Sequence, residues 1–184
     1  MNNLLLCVTG SVASIKTRKL ADLLSEKYNV RIVYSKNAEF FLKNQDLSEY
    51  EVYSDKDEWN ENYKIGDPIL HIELRDWADI LLIAPLSANT MAKITYGLCD
   101  NLITNIVRAW SKYKRKIIAP AMNTSMWKNS ITQIQIENLY DWEIILPIEK
   151  ELACGEFGIG AMEEIEKIVD FILNDNVKNI VKVV

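Results

Sequence analysis

Three short stretches hold side chains whose types and spacing suit chemistry on a small molecule. His71 is the only histidine in the chain, and it lies in the run His-Ile-Glu-Leu. Asn123 lies in residues 120–127, Pro-Ala-Met-Asn-Thr-Ser-Met-Trp, where Met126 and Trp127 read as a buried pair following an apolar strand. Cys154 lies in Leu-Ala-Cys-Gly, and Gly155, Gly158 and Gly160 are half of the six glycines. A histidine exchanges protons near neutral pH. An amide donates and accepts hydrogen bonds without carrying charge, and a thiol is a weak acid of pKa about 8.5. A lone base, a lone amide and a thiol beside a glycine-rich flap together favour chemistry over packing.

Each feature also has a plainer reading. A lone histidine is more often a satisfied structural residue than a catalyst. Residues 10–17, Gly-Ser-Val-Ala-Ser-Ile-Lys-Thr, lack the second glycine of a phosphate loop and the G-x-G-x-x-G of dinucleotide folds. A turn of small residues into a helix start still presents N–H groups and a favourable dipole to a phosphate. Ser87, Ala88, Asn89 and Thr90 read as a helix cap that could also offer polar groups to a planar ligand. With no second histidine and no cysteine pair at ligand spacing, no metal site is expected. With no G-x-S-x-G, a serine hydrolase is not expected either.

The elements that must position these groups follow from apolar runs. Residues 3–9, 30–34, 80–84, 117–119 and 143–146 read as strands. Pro85, Pro120 and Pro147 follow the last three and are expected to end them, since proline cannot extend a ladder. Helical patterns follow: one carrying Ile15, Leu20, Leu23 and Leu24 on one side, then residues 90–110, 124–139 and 163–173. Residues 44–68, with Tyr50, Tyr53, Trp59 and Tyr63 among acids, read as an ordered excursion, because aromatics are scarce in disorder. Strand, loop and helix in alternation predict an α/β, Rossmann-like, three-layer fold with a parallel sheet. One domain over residues 1–184 is expected, the last ten or so forming a frayed tail. Ligands of such folds sit at the carboxyl ends of strands. The loops at 10–14, 35–37, 87–90 and 121–127 all fall there.

Composition narrows the function. Apolar residues make up 49% and charged residues 26% of 184, as in ordinary globular domains. A net charge of −5 argues against a nucleic-acid surface. Lys112, Lys114, Arg115 and Lys116 cluster, but they precede an apolar strand and read as a solvated turn. Three cysteines without paired spacing predict no disulfide framework. Cys7 and Cys99 read as packing residues. No signal-peptide pattern or membrane-length apolar run is visible, so a cytoplasmic protein with reduced thiols and no membrane partner is expected.

At these same residues the chain closely resembles the homo-oligomeric flavin-containing cysteine decarboxylases. The likeness runs from about residue 4 to about residue 164. It is carried by GDPILHIELR at 66–75, APLSANT at 84–90, GLCDN at 97–101, RAW at 108–110, APAMNT at 119–124, MW at 126–127, LACG at 152–155 and GAM at 160–162. It implies bound FMN and homotrimers, open to higher multiples, with the active site between subunits. It implies that His71, Asn123 and Cys154 are catalytic. Ser11, Val12, Ser35, Asn37, Ser87, Ala88, Asn89, Thr90 and Ala121 would contact FMN, and Asn123, Met126, Ala153 and Cys154 the substrate. The implied reaction decarboxylates a small-molecule substrate, 4′-phosphopantothenoylcysteine, to 4′-phosphopantetheine in coenzyme A biosynthesis. A cysteinyl carboxylate loses CO2 with difficulty because the carbanion left behind has no electron sink. Oxidation to a thioaldehyde, with hydride passing to flavin, supplies one, and Cys154 would protonate the resulting ene-thiolate.

Three positions depart from that family's pattern: Asp76 and Glu151 where basic residues are common, and Asn129-Ser130 where X-Pro is usual. The alternatives are a flavin-dependent peptidyl-cysteine decarboxylase and a non-catalytic flavin-binding regulatory subunit. The Leu-Ala-Cys-Gly stretch favours the small substrate over the peptide. The presence of all three catalytic residue types argues against the regulatory subunit.

Overall fold

Continuous apolar runs become strands buried on both faces, which is how parallel sheets read in sequence. The computed structural model describes residues 1–59, 64–153, 155 and 157–174. Among them, β1 (Asn2–Val8), β2 (Tyr28–Tyr34), β3 (Glu51–Tyr53), β4 (Ile80–Leu86), β5 (Arg115–Pro120) and β6 (Glu143–Ile144) form one parallel sheet in the order β3-β2-β1-β4-β5-β6. β7 (Ile148–Glu151) and β8 (Phe157–Ala161) form a separate antiparallel hairpin. The helices are α1 (Thr17–Ser25), α2 (Glu39–Leu42), α3 (Leu70–Trp77), α4 (Ala88–Tyr96), α5 (Leu102–Ala109), α6 (Thr124–Trp127), α7 (Ser130–Asn138) and α8 (Ile165–Leu173).

Alternate residues of β1 feed two cores. Leu4, Leu6 and Val8 pack with Leu20 and Leu24 of α1 and Ile168 and Ile172 of α8. Leu5 and Cys7 pack on the opposite face with Leu74 of α3, Met91 of α4, Ile106 of α5 and Ile136 of α7. The three-layer expectation therefore holds. Burial pushes the Cys7 thiol up, so it stays protonated as a packing residue. None of the helices among the described residues is long and apolar enough to cross a membrane.

Several boundaries differ from the sequence reading. Pro85 does not end its strand. The Ala84–Pro85 peptide is cis, the pairing register shifts between Ile83 and Leu86, and Leu86 pairs with Pro120. Proline lacks an N–H but keeps its carbonyl, and Pro85 O accepts from Thr9 N at 3.3 Å. The expected helix at 90–110 is two. Gly97, at φ 73°, ends α4 in the left-handed region, and Asn101 starts α5 through a capping box with Thr104. The expected helix at 124–139 also divides, because Asn129 caps α7 by accepting from Ile131 N. Cys99 is exposed in the link between α4 and α5, not packed. Ile15, assigned to the buried side, is 58% exposed in a 3-10 turn (Val12–Lys16) preceding α1.

The basic cluster is not simply solvated. Lys114 Nζ donates to the carbonyls of Arg75, Asp76 and Ala78 at 2.9, 3.2 and 2.7 Å, placing a cation at the C-terminus of α3. Arg115 pairs with Glu143, and Lys116 with Asp141. The excursion at 44–68 is ordered where described. It adds the edge strand β3 and a 3-10 turn (Asp55–Asp57); residues 60–63 and the expected tail at 175–184 lie outside the described residues.

Candidate active site

The strand order reverses between β1 and β4, the place where open α/β sheets bind ligands. The loops leaving these strands are tied together. Thr9 Oγ1 donates to Pro85 O at 2.8 Å and accepts from Ser87 N at 2.7 Å. Ser14 Oγ donates to Thr9 O at 2.8 Å, and Ser35 N to Val8 O at 3.0 Å. A Cβ on Gly10 would lie 2.5 Å from Asn37 Cβ, so a side chain there would separate the first two loops. Ser11 and Ser87 act as caps, accepting from Ala13 N and Thr90 N at 3.3 Å each, so the plain capping reading of Ser87 holds.

A cleft of about 520 Å³ opens at this carboxyl edge, within the ~300–1,000 Å³ of typical small-molecule sites. Ser11, Val12, Ile15 and Lys16 form one wall, and Ala121, Met122 and Asn123 the floor beyond β5. Lys150–Ala153 and Gly160–Met162, from the hairpin, form the other wall. The cleft thus gathers Ser11, Val12, Ala121, Asn123 and Ala153 of the expected site. Ser35, Asn37, Ser87, Ala88, Asn89 and Thr90 lie at the ends of β2 and β4, beside it rather than in its lining. Met126 is 48% exposed, not buried with Trp127, and does not line the cleft. Cys154 lies outside the described residues.

Asn123 is placed by its neighbours. Its carboxamide oxygen accepts from Ser125 N at 2.8 Å, capping α6. Met122 N donates to Gly160 O at 2.9 Å, so β8 runs directly over the asparagine loop. Gly158 and Gly160 permit that approach: a Cβ on either would collide with Thr124 Oγ1 or Met122 O, and Gly160 has φ 137°. Gly160→Ala is therefore expected to cost about 1–3 kcal/mol in backbone strain and to raise KM by moving Asn123. Thermal melting and steady-state kinetics check this; an unchanged Tm and KM would show that the hairpin is not seated on this loop.

Two ammonium groups flank the cleft. Lys16 Nζ lies 3.2 Å from Glu164 Oε2, and Lys150 Nζ lies 3.0 Å from Glu164 Oε1. The Lys150 and Lys16 hydrogen bonds hold the Glu164 carboxyl below its ordinary range, and the same bond raises Lys150. Because the folded-state value is depressed, what this clamp contributes is present above the ordinary carboxylate range and is lost as pH falls through the depressed value. Two cations share this one carboxylate, and Glu151 adds a second negative charge to the lining. The spacing of the sequence carried no signal for Lys16 or Glu164, which are far apart in the chain.

His71 stands apart from this cleft. It opens α3, a crossover helix whose C-terminus meets the amino end of β1, where Asn3 Nδ2 donates to Trp77 O at 2.8 Å. The first turn of α3 is thereby at the carboxyl edge, with the cleft. α3 packs through Leu74 into one core, against which Met122 of the cleft also packs, whereas Ala121 and Met162 of the cleft belong to the other. His71 does not line the cleft; its Nδ1 lies 2.5 Å from Glu58 Oε1, with Asn105 Nδ2 within 3.2 Å of that carboxylate. Glu58 and Asn105 were missed in the sequence, where Glu58 is one of several acids in an aperiodic stretch.

Comparison with known proteins agrees with this geometry. A phosphopantothenoylcysteine decarboxylase of Arabidopsis thaliana is 52% identical over 163 residues, 87% of this chain and 78% of the relative. A solved cysteine-to-serine mutant of PPC decarboxylase, complexed with pantothenoylaminoethenethiol, has a TM-score of 0.89 at 47% identity, covering 94% of this chain and 96% of that one. The FMN binding protein AtHal3 has a TM-score of 0.87 at 48% identity, covering 94% and 95%. The family model described as Flavoprotein matches residues 1–177, from the first strand through the last helix. A chain with this sheet, this carboxyl-edge cleft and a match of that extent belongs to the Flavoprotein family.

Proposed function

We infer that this chain is an FMN-dependent decarboxylase that converts 4′-phosphopantothenoylcysteine to 4′-phosphopantetheine. The observation that carries this is the match, over nearly the whole of both chains, to a PPC decarboxylase complexed with a pantothenoyl ene-thiol. The residues fit FMN. The cleft opens at the switch point, its walls are mostly apolar, and Ser11, Val12 and Ala121 line it, with the Ser35–Asn37 and Ser87–Thr90 loops alongside. FMN supplies a place for hydride to go and return from, which the cysteinyl carbon needs before and after CO2 departs. Asn123, with its amide plane set by Ser125 N, holds the substrate carboxylate. His71 takes the proton of the substrate thiol, and Cys154 returns a proton to the ene-thiolate. The protein should be yellow, with flavin absorption bands, and should release CO2 from the substrate. A colourless protein, or one without product, would overturn the reading.

The site is composite in this reading. The family resemblance implies a homotrimer, in which a neighbouring subunit would bring His71 to the cleft. Mixing His71→Asn with Asn123→Asp protein through partial denaturation and refolding should restore activity that neither has alone. A monomer with full turnover would sink this. The expected location is the cytoplasm, checked by cell fractionation.

The two basic-to-acidic departures now separate. Asp76 lies in the last turn of α3 at the amino edge of the sheet, accepting from Arg75 Nη2 at 2.7 Å, whereas Glu151 lines the cleft. Glu151→Arg should therefore lower KM for the phosphorylated substrate, since charge-assisted bonds are about twice as strong as neutral ones. Asp76→Arg should leave KM unchanged. Equal KM values for Glu151→Arg and the parent would place the phosphate elsewhere.

A further inference from the structure

The structure assigns a positioning role to Glu58: its carboxylate holds His71 in one tautomer and one orientation, presenting Nε2 to the substrate. This rests on the reading of His71 as the base that takes the thiol proton. Glu58 Oε1 lies 2.5 Å from His71 Nδ1, and the side chains are 4% and 20% exposed. Burying a carboxylate is costly unless it is hydrogen-bonded. Here both oxygens also accept from Asn105 Nδ2, at 3.2 and 3.1 Å. Asn105 is a neutral donor, so it satisfies the carboxylate without cancelling the charge that faces the imidazole.

Local structure is devoted to holding this carboxylate still. Ser54 caps the 3-10 turn before Glu58, and its N–H and Oγ both donate to Asp57 Oδ2, at 2.7 and 2.9 Å. Asp55 Oδ1 accepts from Leu102 N at 2.9 Å, at the start of α5. Three residues further along that helix stands Asn105. One helix therefore anchors both the turn and the carboxylate. The described part of the excursion between β3 and α3 carries Glu58 to His71.

The chemistry follows from the donor inventory. An ionised carboxylate only accepts, so the shared proton sits on Nδ1, and in the neutral ring Nε2 carries the lone pair. The substrate S–H proton moves to Nε2 and the sulfur keeps the bonding pair. Nδ1–H remains in place, Glu58 stays unprotonated, and its charge offsets that of the new imidazolium, the logic of a carboxylate-oriented histidine. Without Glu58 the ring is free to hold its proton on Nε2, which then has no lone pair to offer.

The chain has a single histidine, so a 15N-histidine-labelled holoenzyme yields one ring to observe. In the wild type, with the ring neutral, the nitrogen shifts should report a proton on Nδ1 and none on Nε2. Glu58→Gln should shift that population towards Nε2–H. Its kcat should fall about 10²-fold or more, with KM within about twofold and the flavin spectrum unchanged. Glu58→Asp, which keeps the charge, should recover part of the lost kcat. A wild-type ring protonated on Nε2, a measurement that needs no variant to fold, would overturn the proposal. So would wild-type kcat in Glu58→Gln when His71→Asn is inactive. A fully active His71→Asn would instead remove the base reading on which the proposal stands.

Discussion

His71→Asn should yield a folded, yellow protein whose turnover is lower by about 10²–10⁴-fold, the usual contribution of a positioned acid or base. The fold should survive because His71 is only partly buried and asparagine retains a donor for Glu58. Alanine would leave that buried carboxylate with Asn105 as its remaining partner among the described residues, so asparagine is the cleaner test. Flavin content should be unchanged, because His71 does not line the cleft that gathers Ser11, Val12 and Ala121 of the expected FMN contacts. The flavin spectrum, a melting curve and the rate of CO2 release check all three points. Rapid decarboxylation by this variant would remove His71 from the mechanism.

Cys154→Ser should divide the reaction. In the proposed mechanism oxidation and loss of CO2 use the flavin, His71 and Asn123, so they should survive. Return of the hydride needs a proton for the ene-thiolate. A thiol of pKa about 8.5 can provide it, and a serine hydroxyl is far less acidic. The variant should release CO2 once, hold its flavin reduced under anaerobic conditions, and accumulate a product roughly two mass units lighter than the saturated thiol, lacking the two hydrogens that the flavin retains. Full conversion to the saturated thiol would show that another group is the proton donor.

Much of the scaffold was legible because parallel strands are buried on both faces. The runs at 4–8, 80–83 and 117–119 had to be nearly all apolar, and such runs stand out. β3 did not stand out: it is a three-residue edge strand, Glu-Val-Tyr, with one face in water. The β7–β8 hairpin was hidden for a related reason, since Ile148–Glu151 alternates partly buried and exposed residues over only four positions. Helix breaks at Gly97–Asn101 and Lys128–Asn129 were masked by apolar residues continuing on both sides of short capping turns. Pro85 misled because a proline with a usable carbonyl can stand where the register shifts.

The site divides along the same line. Residue types and local spacing singled out His71, Asn123 and Cys154 as candidate chemical groups, and brought the loops after β1, β2, β4 and β5 to one edge. Both follow from what a residue is and from where a parallel strand ends, which are local properties. Tertiary structure alone decided three further matters. It seated Gly158 and Gly160 on the asparagine loop, brought Lys16 and Lys150 to one carboxylate, and set His71 against Glu58. Each of these pairs residues from segments separate in the chain. Their meeting depends on which face of the sheet each crossover covers, and no hydrophobic period in a single segment encodes that choice.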